Sequence, residues 1–318
     1  MSSNQQEERK WAPEQIPDQS GRTAFITGGN SGIGFETARV LSGKGARVIL
    51  AGRSREKLEE AAEQLRKLRP GADISTVVVD LGSLSSIRDA SAKVAEAETI
   101  DLLFNNAGVM NIPERRTTSD GFELTFGTNH LGHFALTAGL LPSLLRSPSA
   151  RVVTVTAIAG TWRRGRLEDV MSERRYAAMG AYAKSKRANI VFAKELAKRL
   201  RGTHVEAVVV HPGAAMTNLQ RHTAGPLFRM VSGFMERYMM GTPEGAAWPS
   251  LYAATAPGIT NGGFYGPAGR VQTSGTPKLV PFQLADPDEG SRLWALSEEL
   301  TDVRFEIPSV PAAATANE

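Results

Sequence analysis

The strongest constraint on this chain is a rhythm. From Gly21 to about Val210, short β-branched runs alternate with longer amphipathic stretches. The runs TAFIT (23–27), RVILA (47–51), ISTVVV (74–79), IDLLF (100–104), RVVTVT (151–156) and VEAVVV (205–210) read as strands, with FYG (264–266) as a further one. Between them lie helical segments such as SREKLEEAAEQLRKL, with its i,i+4 charge pairs, and AYAKSKRANIVFAKELAKRL, whose apolar face is interleaved with lysines and arginines. Strand, helix and strand in succession make βαβ units, and right-handed crossovers then lay helices on both faces of a parallel sheet. The expectation is an α/β fold, a doubly wound parallel sheet of about seven strands.

Composition narrows the class. A chain of 318 residues with 41% hydrophobic content is long enough for one large α/β domain. Its 37 basic and 33 acidic residues leave a net charge of only +4, which argues against a nucleic-acid partner. There is no cysteine, so disulfides, thiolate metal sites and a cysteine nucleophile are excluded. The five histidines (His130, His133, His204, His211, His222) lack zinc-site spacing, and no metal is expected. The polar start MSSNQQEERKWAPEQIPDQSGR has no apolar core of a signal or anchor, and no stretch reaches the length of a spanning helix. A soluble, cytoplasmic protein is expected, with poorly ordered arms at 1–20 and 306–318 around a single domain at 21–305.

One joint carries chemistry. The first strand runs into GGNSGIGFETARVL, so Gly28, Gly32 and Gly34, with Asn30, Ser31 and Ile33 between them, lie where strand gives way to helix. A tight turn there brings backbone N–H groups and the positive end of a helix dipole toward a pyrophosphate. No Gly-Lys-Ser/Thr follows, so it is not a P-loop. The second strand ends in Gly52 and Arg53, where NAD-binding folds place an acidic residue for the ribose 2′-OH. A guanidinium in that place favours a 2′-phosphate, hence NADP(H) over NAD(H). Tyr182 and Lys186 are spaced i,i+4 on a predicted helix, so both share one face. A free phenol has a pKa near about 10, and an adjacent ammonium would lower it toward working pH.

TGGNSGIG, Asp80 after the third strand, NNAG (105–108), NHLGHF (129–134), YAKSK (182–186) and HPGAAMT (211–217) occur in the order and spacing of one family. The chain resembles the short-chain dehydrogenases/reductases over roughly residues 20–270, and within them the retinol-dehydrogenase and protochlorophyllide-reductase-like branch. The resemblance implies a Rossmann fold and hydride transfer between a nicotinamide and a carbonyl or alcohol carbon. It makes Tyr182 the acid/base, gives Lys186 a second role at the nicotinamide ribose, and gives Asn129 the support of a proton-relay water. Asp80, Leu81, Asn106, Ala107 and Gly108 fall on the adenosine side, while Pro212, Gly213, Ala215 and Thr217 fall toward the nicotinamide. The family often pairs through the helices holding Asn129 and Tyr182, so a homo-oligomer is implied. His130 and His133 read as helix packing.

One position departs from the pattern. The family ends its fifth strand with a serine whose hydroxyl bonds the reacting oxygen, and in RVVTVTAIAG that place is held by Ala157. Losing one such donor typically costs about 10²–10³ in rate. Thr156 should face away from the site unless a bulge or shifted turn redirects it. Thr161 or the 211–222 loop could supply a donor instead, and an activated substrate or a chain that binds cofactor without turnover would also fit. Residues 218–242 form an expected helical lid with Leu227, Met230, Val231, Phe234, Met235, Tyr238 and Met239 at helical spacing, suited to a bulky hydrophobic small-molecule substrate. Arg163, Arg164, Arg166, Arg174 and Arg175, interspersed with Glu168, Asp169 and Glu173, read as a solvated rim. The leading reading is an NADP(H)-dependent oxidoreductase. The alternatives are a redox-silent cofactor binder and non-redox chemistry, dehydration or cyclisation, on the Tyr182 phenol.

Overall fold

A computed structural model describes residues 11–162, 167–213, 242–269 and 275–308. The expected lid falls almost wholly outside them, as do Ala215, Thr217, the first ten residues and the tail from 309.

The β-branched runs become β1 (Thr23–Thr27), β2 (Arg47–Gly52), β3 (Ile74–Val78), β4 (Leu102–Asn105), β5 (Ala150–Val155), β6 (Val205–Val210) and β7 (Phe264–Pro267). They pair in parallel, and the sheet has the order β3-β2-β1-β4-β5-β6-β7-β8. An eighth strand, β8 (Pro277–Leu279), pairs antiparallel with β7 through Tyr265↔Leu279 and Pro267↔Pro277. It corrects the expected seven. Three residues opened by a proline carry no readable alternation, so only the pairing defines this edge.

Helices α1 (Gly32–Gly43), α2 (Arg55–Leu68), α3 (Leu84–Ala97), the short α4 (Leu124–Phe126), α5 (Gly132–Arg146), α6 (Ala178–Arg199), α7 (Pro243–Thr255) and α8 (Glu289–Thr301) cover the sheet. Successive strand residues alternate between the two faces. Ile26, Leu50, Phe104 and Val153 therefore pack with Leu41 of α1, Leu58 of α2 and Leu251 of α7. Phe25, Ile49, Leu103 and Val152 face the other way, onto Ile87 of α3, Leu140 of α5 and Phe192 of α6. Both faces are buried, as a parallel sheet requires.

The N-terminal arm differs from the expectation. Residues 11–20 dock on the domain: Trp11 meets Trp248 and Tyr252 edge-on, and Ile16 and Gln19 are buried. Apolar anchors six residues or fewer from a polar run were not enough to register as a packed segment in the sequence. At the other end, Phe305 and Ile307 pack beside Trp294, so the fold extends past the boundary at 305.

One ion pair is fully interior. Arg187 of α6 donates from Nε and Nη2 to the two carboxylate oxygens of Glu289 at 3.0 and 2.6 Å, and both side chains are 2% exposed. The guanidinium also lies 5.3 Å from the Phe282 ring. Removing one partner strands a buried charge, so Arg187→Met should destabilise the protein by about 3–5 kcal/mol, whereas the paired exchange Arg187→Met with Glu289→Leu should recover most of that. Denaturant unfolding of the three variants checks it.

Candidate active site

The sheet order reverses between β1 and β4, so the loops leaving these two strands diverge at their carboxyl ends and open a crevice there. Gly28 begins the loop after β1 with φ +66°, a conformation that L side chains resist. Gly34 lies in the first turn of α1, where a Cβ would fall 2.4 Å from the Gly28 carbonyl oxygen, so only glycine lets helix and loop approach this closely. Ser31 is the N-cap of α1, yet no side chain caps that end, unlike α2, α3 and α7, where Ser54, Ser83 and Thr242 accept backbone N–H bonds. The N–H groups of the first turn, around Gly32, Ile33 and Gly34, are thus directed into the crevice without a protein acceptor among the described residues.

The walls of this cradle are tied together. Asn106 donates from Nδ2 to the Thr27 carbonyl at 2.8 Å, and the backbone N–H groups of Asn106 and Ala107 donate to Thr27 Oγ1 at 2.9 and 3.0 Å. At the far wall Gly52 lies near Asn30, and the next residue, Arg53, is exposed and forms no ion pair among the described residues. Asp80 accepts the Gly82 N–H at 2.9 Å, and Leu81 beside it is buried. Pro212 and Gly213 follow β6, with Gly213 at φ +80°. An uncapped helix start and a turn that a Cβ would fill together fit the pyrophosphate of a dinucleotide.

Tyr182, Lys186 and Asn129 gather beside it. Tyr182 and Lys186 lie one turn apart on α6, and the Lys186 Nζ is 5.8 Å from the Tyr182 ring centroid. Nζ donates to the Val155 carbonyl at the end of β5, at 3.1 Å. Asn129 belongs to a π turn, Gly127–Leu131, that leads into α5. Its amide clamps Val109 from both sides, accepting the Val109 N–H at 2.7 Å and donating to the Val109 carbonyl at 2.9 Å, and it also donates to Ser185 Oγ at 3.0 Å. A Cβ on Gly108 would lie 3.1 Å from Asn129 Oδ1 and 3.6 Å from Lys186 Nζ, so the NNAG loop passes directly over both.

Ala157, like Met110, packs against the small buried cluster of Ala159, Tyr182 and Ala183. Neither neighbouring threonine compensates. Thr156 is buried and donates to the Lys186 carbonyl at 2.6 Å, and Thr161 donates to the Ile158 carbonyl at 2.7 Å. The Tyr182 hydroxyl itself has no hydrogen-bond partner among the described residues.

Electrostatics overturn one expectation. Burial pushes the Tyr182 phenol up to about 12. Burial likewise brings the Lys186 ammonium down to about 8. Spacing alone suggested that the lysine would lower the tyrosine. Instead Nζ is held by a carbonyl and lies toward the ring, and the loss of water around both groups dominates.

Three residues of this region were not singled out for it by sequence. Ser185 links Asn129 to the Tyr182 carbonyl, to which it donates at 2.8 Å. His133 and Thr27 join the cradle to the π turn, as developed below. Their signal was present, a histidine one turn past Asn129 and a threonine closing β1, but nothing local tells a packing histidine from a bonded one. Lys184, the other lysine of YAKSK, turns away and donates to Ser172 Oγ at 2.8 Å. Arg174 and Arg175 are exposed, and Arg163, Arg164 and Arg166 lie outside the described residues.

The comparisons agree with one another. A family model described as short chain dehydrogenase matches residues 22–225. Retinol dehydrogenase 13 of Homo sapiens is 39% identical over 298 residues, covering 91% of this chain and 87% of that protein. Retinol dehydrogenase 12 of Homo sapiens is 40% identical, covering 92% and 89%. Among solved structures, an uncharacterized protein from Mycobacterium Paratuberculosis is 37% identical with a TM-score of 0.76, covering 94% of this chain and all (100%) of that one. The NADP active-site complex of RhlG from Pseudomonas aeruginosa is 28% identical with a TM-score of 0.62, covering 77% and 94%. By the extent of these matches, the chain belongs to the short chain dehydrogenase family.

Proposed function

We propose that the protein is an NADP(H)-dependent oxidoreductase that interconverts a bulky hydrophobic carbonyl and its alcohol, with Tyr182 as acid/base. The observation that carries this reading is the buried Tyr182 phenol, without a hydrogen-bond partner among the described residues, one helical turn from Lys186 and linked through Ser185 to Asn129. When bound, the nicotinamide supplies or accepts the hydride. The phenol, held protonated by burial, gives its proton to the carbonyl oxygen in reduction and takes it back in oxidation. The Lys186 ammonium stabilises the negative charge that develops there, and Asn129 fixes the Val109 loop and Ser185 around the pair.

Two further observations support the finer points. Arg53 has no acidic partner among the described residues and lies beside exposed Arg55 and Lys57, a setting for a 2′-phosphate; RhlG, a similar structure, is an NADP complex. Ile158, Trp162 and Met179 are three of the six exposed large hydrophobics among the described residues, and all border Ala157 or the turn before Tyr182. Apolar side chains left in water around a polar centre suit a large apolar substrate. A second reading, a cofactor binder without turnover, is favoured by one observation: the two threonines beside Ala157 among the described residues, Thr156 and Thr161, are both engaged elsewhere.

Oxidation of NADPH with a panel of hydrophobic aldehydes and ketones separates the two. Turnover is expected, and Tyr182→Phe should lower it by about 10²–10⁴ with NADPH binding retained; tight binding with no turnover of any substrate would leave the second reading. Ala157→Ser should raise kcat by up to about 10²–10³, the worth of one pre-placed donor.

Arg53→Glu should weaken NADPH binding by at least about tenfold while sparing NADH, as expected for one charge-assisted contact to phosphate. Titration calorimetry with both cofactors reads it.

The pH dependence follows from the two shifts. Lys186 is charged below about 8 and Tyr182 stays protonated to about 12. The kcat/KM for reduction should therefore be level below that lower value and fall above it, measured between about pH 6 and 10, with no further break from the phenol.

A further inference from the structure

His133 falls in the NHLGHF motif, where it reads as helix packing, yet it stands between the two halves of the site. It lies on α5 and is 1% exposed. Its Nδ1 is 3.0 Å from the backbone carbonyl oxygen of Asn129, and its Nε2 is 3.0 Å from Thr27 Oγ1. We propose that His133 is a positioning residue: its imidazole ties the turn beneath the dinucleotide to the π turn that carries Asn129, so that cofactor cradle and proton-handling side chains hold one register. The inference rests on the oxidoreductase reading and deepens it.

Hydrogen accounting fixes the arrangement. A carbonyl can only accept, so Nδ1 must carry the proton. Thr27 Oγ1 already accepts two backbone N–H groups, from Asn106 and Ala107, which fills both of its lone pairs. It cannot also accept from Nε2, so Nε2 is bare and faces the single hydrogen of the Thr27 hydroxyl, which also reaches the Phe104 carbonyl at 3.0 Å and is shared between the two acceptors. A neutral imidazole protonated at Nδ1 leaves Nε2 and the Phe104 carbonyl to share the Thr27 hydrogen, whereas a charged one leaves a hydrogen without an acceptor. Burial, with the Lys186 charge as a lesser cause, holds His133 near 4, in agreement with that account.

The link continues on both sides. From Asn129 the amide reaches Ser185 Oγ at 3.0 Å, and Ser185 donates to the Tyr182 carbonyl at 2.8 Å. From Thr27 the carbonyl holds Asn106 Nδ2 at 2.8 Å. Hydrogen bonds thus run without a break from the cradle to the turn of α6 that bears the phenol. His130 shows what a packing histidine looks like in the same segment. Its ring lies among Phe126, Phe134 and Phe192, and its Nε2 meets Ser297 on α8, away from the crevice.

Two substitutions divide the two bonds. In His133→Asn the side-chain amide nitrogen can take the place of Nδ1 and keep the Asn129 bond, while the reach to Thr27 is lost. In His133→Gln the longer side chain can keep the Thr27 bond and lose the donor to Asn129. His133→Phe removes both at similar volume. The Asn variant should lose mainly NADPH affinity, by about tenfold in calorimetry, and the Gln variant mainly kcat, by about tenfold, as for one buried hydrogen bond each; Phe should lose both. Equal losses in the Asn and Gln variants, or a Phe variant that matches the parent protein, would overturn the proposal. Imidazole ¹⁵N NMR of the parent protein gives a reading that needs no variant to fold: protonation at Nδ1 is expected, and protonation at Nε2 overturns it. If the parent protein shows no turnover, the oxidoreductase reading fails, while the calorimetric split and the tautomer still decide the role of His133 in the cradle.

Discussion

The parallel pairing of β1 with β4, through Ala24↔Leu102, Phe25↔Leu103 and Ile26↔Phe104, is the constraint on which the site depends. Strands to one side of this pair run β2 then β3, and those to the other run β5 onward, so the connecting helices leave in opposite directions. The two loops above the pair are the one place along the sheet edge where backbone is not covered by a crossover to the same side. Around that gap lie the glycine turn after β1 and the NNAG loop after β4, with Lys186 close beneath the latter.

Removal of water sets the chemistry of the pair on α6. Both Tyr182 and Lys186 are buried, and burial disfavours the charged form of each: phenolate in one case, ammonium in the other. A phenol that stays protonated is suited to donate, and a lysine near neutrality remains charged with little to spare. Position 157, at the end of the run that follows β5, is an alanine that packs against the cluster containing Tyr182. On the proposed reading, the site has an acid and a cation and lacks a hydroxyl donor at 157. That separates proton supply from oxyanion stabilisation more sharply than in a site with all groups present.

Much was legible beforehand because it is local. The strand–turn–helix joint at Gly28–Gly34, the helical spacing of Tyr182 and Lys186 and the extended run ending at Ala157 are each decided within about ten residues of sequence. The opposite facing of Thr156 and Ala157 followed from strand periodicity alone, and Thr156 indeed turns to the Lys186 carbonyl. What was missed depends on partners far along the chain. β8 exists because Tyr265 and Pro267 offer an edge, the arm at 11–20 is packed because Trp248 and Tyr252 are there to meet Trp11, and the Arg187–Glu289 pair joins residues 102 apart in sequence. The direction of the Tyr182 shift was missed for the same reason, since desolvation is a property of everything around a group and not of its neighbour one turn away.

The sequence by itself determined the alternation that makes a doubly wound sheet, the glycine-rich joint of strand and helix at 28–34, the one-turn spacing of Tyr182 and Lys186 and the alanine at 157. These are periodicities and residue identities, and they are complete before the chain folds. The tertiary structure alone decided which groups are dry, which hydroxyls are already committed and which histidine faces the site. His130 and His133 are three residues apart in one short motif, and only the packing of α5 against β1 on one side and α8 on the other sends one to Thr27 and the other to Ser297. Hydrogen bonds and solvation act through space, so their outcome is fixed only once the chain has closed around them.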